Sequence, residues 1–151
     1  MSTHHPRTSF THEEIIDHAK GNGAVLAMAL VARAREQGEA PETVARWLGR
    51  ILAPGWEQLR GQGARIAAEN AALNTVSLGA SLQDLSGDER HSEATVADWP
   101  GEAMLGMFRL SQDDADVMFA VFEPIAEHIG LSYRWQRQGD SVTMTFEQGG
   151  A

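Results

Sequence analysis

The chain contains no cysteine. Disulfides, thiolate metal sites and a thiol nucleophile are therefore excluded at the outset. No apolar run approaches the ~18 residues that a membrane-spanning helix needs. The opening Met1-Ser2-Thr3-His4-His5-Pro6 lacks the charged-then-apolar shape of a secretory signal. Basic residues are sparse and scattered, 12 Lys and Arg against 21 Asp and Glu, for a formal net charge of −9. Such a balance offers no electrostatic footprint for nucleic acid or for an anionic membrane surface. The composition thus predicts a cytoplasmic protein with no nucleic-acid and no membrane partner.

Several motifs of cofactor chemistry are missing as well. Gly55-Trp56-Glu57-Gln58-Leu59-Arg60-Gly61 lacks the Lys-Ser/Thr of a phosphate-binding loop, and Gly21-Asn22-Gly23 follows no strand. Leu78-Gly79-Ala80-Ser81 is not a nucleophile elbow. The six histidines form no His-Glu-x-x-His and no His-x-His. Glu14 and His18 stand four apart on one helix face, but such pairs are commonly solvated intrahelical contacts. No metal and no cofactor are expected.

What is present is best read from the C-terminal end. Ser111 precedes an acidic first turn, Asp113, Asp114 and Asp116, and an apolar stripe runs through Met118, Phe122, Ile125 and Ile129 to a stop at Gly130. Two alternating segments follow, 133–138 and 141–146, joined by Gly139-Asp140. A two-residue turn there pairs Gln138 with Ser141, Trp135 with Met144 and Tyr133 with Phe146. Arg134 and Gln136 then meet Thr145 and Thr143 on the other face. A helix followed by a hairpin must share one apolar layer, so the segment sets the class as α+β.

Upstream, residues 1–9 read as a disordered lead and residues 10–151 as one domain. Thr11 and Glu14 form a capping box, so a helix starts near His12, interrupted or bent at Gly21-Asn22-Gly23 and ending by Gly38. Pro41 opens a second helix carrying Val44, Trp47, Leu48, Ile51 and Leu52. Pro54-Gly55 ends or kinks it, and a third helical stretch is expected over 56–72. Residues 76–82 and 104–108 stay open between strand and helix, 83–90 reads as a loop, and 93–99 as a third strand closed by Pro100-Gly101. The architecture expected is an N-terminal helical part packed on a small antiparallel sheet, with a C-terminal helix and β-hairpin.

Four tryptophans supply large apolar area, and the aromatics at the hairpin and at Trp99 are candidate pocket walls. The expected ligand site lies between the N-terminal helices and the hairpin sheet, lined by Trp99, Tyr133, Trp135 and Met144. Asp98, at a strand end, and His128, in the last turn of the C-terminal helix, are the candidate catalytic polar groups. Their bland alternatives are a turn cap for Asp98 and a helix-dipole partner for His128.

Trp99-Pro100, the helix after it, the Gly139-Asp140 turn and Phe146 resemble the L-2-amino-thiazoline-4-carboxylate hydrolase-like proteins and the related 4-vinyl reductase small-molecule-binding domains. The likeness covers roughly residues 90–147. It implies a small-molecule-binding domain with hydrolase-like activity. The family's cysteines are absent, so its thiol chemistry and Cys-bound metal do not carry over. The alternative is a non-catalytic interaction or oligomerisation module, and a homo-oligomer is left open.

Overall fold

The computed structural model describes residues 9–150, so the lead expected over 1–9, with His4 and His5, lies outside the described residues but for Ser9. The chain forms α1 (His12–Glu36), α2 (Pro41–Leu52), a 3-10 segment (Ala53–Leu59), α3 (Ala64–Ser77) and the strands β1 (Ser81–Gly87) and β2 (His91–Ala97). Then come α4 (Glu102–Phe108), α5 (Gln112–Asp116), a 3-10 segment (Val117–Val121), α6 (Phe122–His128), and the strands β3 (Leu131–Gln138) and β4 (Ser141–Gln148). The four strands form one antiparallel sheet in the order β1-β2-β4-β3. The α+β class and the helices-on-sheet architecture are as the sequence pattern predicts.

The β3–β4 register is the expected one: Tyr133 faces Phe146, Trp135 faces Met144, Arg134 faces Thr145 and Gln138 faces Ser141. A slip of one residue would put Met144 and Phe146 in water, which holds the pairing in place. The inner face of the sheet carries Ala94, Val96, Val142, Met144 and Phe146, all buried. The alanines of α3 (Ala64, Ala67, Ala68, Ala71 and Ala72) are buried in the same core, and side chains that small let the helix lie close to the strands. The outer face is a polar ladder. Thr95 and Thr143 share a hydrogen bond of 2.9 Å, and Glu147 joins Arg134 and His91 at 2.9 Å each.

Both capping boxes form, Thr11 with Glu14 and Ser111 with Asp114. The Gly21-Asn22-Gly23 run does not break α1, which is continuous over 25 residues. Residues 104–108 are helical, whereas 76–82 divides: α3 ends at Ser77, a turn follows, and β1 begins at Ser81.

Three expectations need correction. The stretch 83–90 is mostly strand rather than loop, since β1 runs to Gly87. It is an edge strand with a register shift between Leu82 and Asp84, largely solvated, so it has no alternation to read. The third helix begins at Ala64 and not at 56. Gly63, at φ 92°, turns the chain under the β1–β2 connection, and a Cβ there would stand 2.9 Å from the Glu89 carbonyl oxygen. The C-terminal helix is also broken, by the 3-10 segment Val117–Val121. Pro124 explains this: it has no N–H to donate to Ala120, four residues back, and its ring crowds that carbonyl.

Candidate binding cavity

α2 packs with its small side chains inward. Ala45 and Gly49 are its buried residues, and a Cβ on Gly49 would lie 2.2 Å from the Val121 carbonyl oxygen. The helix backbone therefore rests directly on the Val117–Val121 segment, and its large apolar residues are turned to the sides. On one side they meet α1 and the end of α3 around an open cavity of about 370 Å³. Leu26, Ala27 and Leu30 of α1 form one wall, Leu48 and Leu52 of α2 another, and Leu78 with Trp99 a third. Met118, Phe119, Phe122 and Ile125 make the floor, with Trp56 at the edge, its ring 5.9 Å from that of Phe122.

The lining contains no ionisable side chain. Its polar members are Asn74, Thr75, Ser77 and the indoles of Trp56 and Trp99. The first three donate within α3: Thr75 to Ala71 at 2.9 Å, Ser77 to Leu73 at 2.7 Å and Asn74 to Asn70 at 2.8 Å. The Trp99 Nε1–H is buried and has no hydrogen-bond partner among the described residues. Burying an amide-like donor without a partner costs about 1–3 kcal/mol. The cavity is thus a largely apolar container. It holds neither a base within reach of a hydroxyl nor an acid.

Of the residues expected at the site, only Trp99 lines this cavity. β2 stops at Ala97, short of the expected strand end at 99, and Trp99 stands just past it beside Asp98, which is exposed at φ 61° and borders none of the depressions described here. Gln112 holds the turn by donating to the Trp99 carbonyl at 3.1 Å and to Asp116 at 2.8 Å. Trp135 stands behind Phe119, centroids 5.8 Å apart, and Met144 is fully buried in the sheet core. Tyr133 donates its hydroxyl to the Phe119 carbonyl at 2.9 Å. Burial pushes that phenol well above its usual range, and the charge of Glu123 adds to the shift.

His128 lies elsewhere, in an open depression of about 420 Å³ with Arg46, Arg50, Ala53, Glu123, Pro124 and Glu127. Its Nε2 is 2.7 Å from Glu57, the carboxylate partner that its sequence neighbours could not supply. That carboxyl is held below its usual value chiefly by the Arg60 hydrogen bond, with His128 a lesser contributor. No hydroxyl nucleophile lines that depression, and the structure does not bring Asp98 into it. The N-terminal helices border the cavity as expected, but the sequence pattern singles out none of the α1, α2 and α3 residues that line it. Their one visible signal was α2, whose apolar residues outnumber what Ala45 and Gly49 need to bury.

No protein-family model matches the chain, and no curated protein matches it. Among solved structures, the chain is similar to a trafficking protein particle complex subunit 3 from Naegleria fowleri covalently bound to palmitic acid. The TM-score is 0.48 at 14% identity, over 85% of this chain and 96% of that one. No helix of the described residues is long and apolar enough to cross a membrane.

Proposed function

We propose that this chain is a non-catalytic binding domain that takes the apolar part of an amphipathic small molecule into the cavity between α1, α2 and α3. The observation that carries this reading is the lining itself: predominantly apolar, free of ionisable side chains, and within the ~300–1,000 Å³ range of small-molecule sites. An apolar tail gains by leaving water at about 25 cal/mol per Å². The hydrolase-like alternative has no support from this lining, because a hydroxyl already donating within its own helix and lacking a base is a poor nucleophile.

The test is a titration of n-alkanols and n-alkanoates of increasing chain length, followed by tryptophan emission. Affinity should climb with chain length and then level off once the cavity is full. Ala27→Phe, which fills the cavity from its α1 wall, should abolish the response while the thermal transition persists. No response at any chain length, or an unchanged response in Ala27→Phe, refutes binding in this cavity. Hydrolysis of a p-nitrophenyl alkanoate that is lost in Ala27→Phe would refute the non-catalytic part alone.

A further inference from the structure

The first two turns of α1 stand clear of the body. Every residue from His12 to Ala19 is exposed, although the rest of the helix is packed. Ile15 and Ile16 are each 53% exposed in this overhang. β-branched residues are mediocre helix formers, so local helix stability does not account for two of them there. The overhang is also acidic, with Glu13 and Asp17 flanking Ile16.

The other end of α1 carries a complementary feature. Leu30, Arg33, Val44, Trp47 and Arg50 line a groove of about 340 Å³ between α1 and α2, with Glu39 as its one acidic member. Trp47 in its wall is 49% exposed. Arg35, Arg46, Arg60, Arg65, Arg134 and Arg137 are ion-paired. Arg33 and Arg50 form no ion pair among the described residues, in a protein whose net charge is −9.

Between the two ends, Ile16, Ala19, Leu26 and Arg33 are exposed, while Gly23 and Leu30 among them border the cavity, Gly23 facing Leu78. The midpoint between Ile16 and Arg33 falls beside Leu26, which is 68% exposed. α1 is 25 residues long, about 37 Å at 1.5 Å per residue. Two copies related by a two-fold axis at that midpoint would each place an acidic, isoleucine-bearing overhang at the other's arginine-flanked groove. Such an arrangement is isologous and closed.

We infer that the chain pairs with a second copy of itself through α1, the Glu13-Ile16-Asp17 overhang of each copy seating in the Arg33-Trp47-Arg50 groove of the other. An anionic membrane surface would repel Glu13 and Asp17, so the overhang does not suit that partner. Leu26 and Leu30 are shared with the cavity wall, so pairing through α1 is expected to alter access to the cavity.

The experiment uses the full chain and analytical ultracentrifugation across a concentration series. Wild type should show a monomer–dimer equilibrium. Glu13→Arg with Asp17→Arg makes both contact surfaces of a copy basic, and Arg33→Glu with Arg50→Glu makes both acidic. Each variant alone should self-associate at least about tenfold more weakly, since like charges then face each other. Mixed together, the two should form a heterodimer, because each overhang now meets a groove of opposite sign. All substitutions are at exposed positions, and circular dichroism checks that the helices persist. A wild-type monomer at the highest concentration reached, a dimer indifferent to both variants, or a mixture that stays monomeric overturns the inference.

Discussion

Gly49 is the position where the packing makes its sharpest demand. A methyl group there would sit 2.2 Å from the Val121 carbonyl oxygen and 2.8 Å from Pro124 Cγ, where ordinary contact begins near 3.4 Å. One neighbour is backbone and the other is a proline ring, so neither can swing aside. Gly49→Ala must therefore push α2 off the Val117–Val121 segment by roughly 1 Å, an overpacking that costs about 1–3 kcal/mol or more. The alanine returns about 0.8–1.0 kcal/mol of helix propensity. The net expectation is a loss of about 1–2 kcal/mol, which at ~2–4 °C per kcal/mol for a chain of this size lowers Tm by roughly 2–8 °C. Gly21→Ala is the internal control. It is helical too, nothing lies within 4 Å of its added Cβ, and it should gain about 0.5–1 kcal/mol. Urea unfolding of the three proteins, compared at constant m-value, reads both signs at once. If Gly49→Ala is as stable as Gly21→Ala, the close approach of α2 is wrong, and with it the cavity wall formed by Leu48 and Leu52.

Other outcomes follow from the same packing. Phe122, buried between Trp56 and Tyr133 with ring centroids 5.9 Å from each, should cost ~3–5 kcal/mol when replaced by Ala; a loss under about 1 kcal/mol in denaturant unfolding would mean it is not enclosed. Asp116 is buried and accepts from Arg137 Nη2 at 2.9 Å and from Gln112 at 2.8 Å. Asp116→Ala should cost about 2–4 kcal/mol, somewhat less than a fully buried broken pair because Arg137 keeps some access to water. Asp116→Leu with Arg137→Met should recover most of that loss in the same assay, and no recovery would argue against the pair as the cause. On the outer sheet face, the Arg134 hydrogen bond, and then that of His91, hold the Glu147 carboxyl below the usual 4.5. A lowered folded-state pKa contributes stability that is present above that value and lost as pH falls through and below it. Glu147→Gln should therefore flatten the acid limb of the stability curve, and an NMR midpoint for Glu147 at or above 4.5 would contradict the contact.

The hairpin was legible in the sequence because two independent signals agreed there. Turn chemistry at Gly139-Asp140 and a period of two on both sides allow one register, and burial enforces it. The helix starts at Thr11 and Ser111 were legible for a similar reason, since a capping box is local and reciprocal. β1 was not, because an edge strand with both faces largely solvated carries no alternation. The break before Pro124 was written in the chain, but the apolar stripe on either side hid it. The cavity was hardly legible at all. It depends on which faces α1, α2 and α3 turn toward one another, and no periodicity within one helix reports that. Trp99 could be placed near a site because it stands in the turn just past the end of β2. Tyr133 and Trp135 face the same way in the sheet, yet Phe119 and Phe122 of the C-terminal helical segment lie over them.

α2 links the cavity to the proposed pairing. A helix that stabilised only this domain would bury its largest apolar side chains; α2 buries Ala45 and Gly49 and leaves Trp47 at 49% and Ile51 at 55% exposure. The close contact with Val121 leaves no room for anything larger on the buried face, so the apolar residues must go to the flanks and outward. On one flank they wall the cavity, and on the other Val44 and Trp47 wall the groove. Trp47 and Ile51 therefore contribute little to the fold and much to whatever covers them. Replacing both by Gln should change unfolding free energy by no more than about 1 kcal/mol, the range of surface substitutions with partial burial. The same variant should weaken self-association by at least about tenfold if Trp47 is the aromatic anchor of the interface. Sedimentation and urea unfolding of the one protein separate the two effects. A large loss of stability with unchanged association would mean that α2 is packed in the opposite sense, with its large residues serving the core.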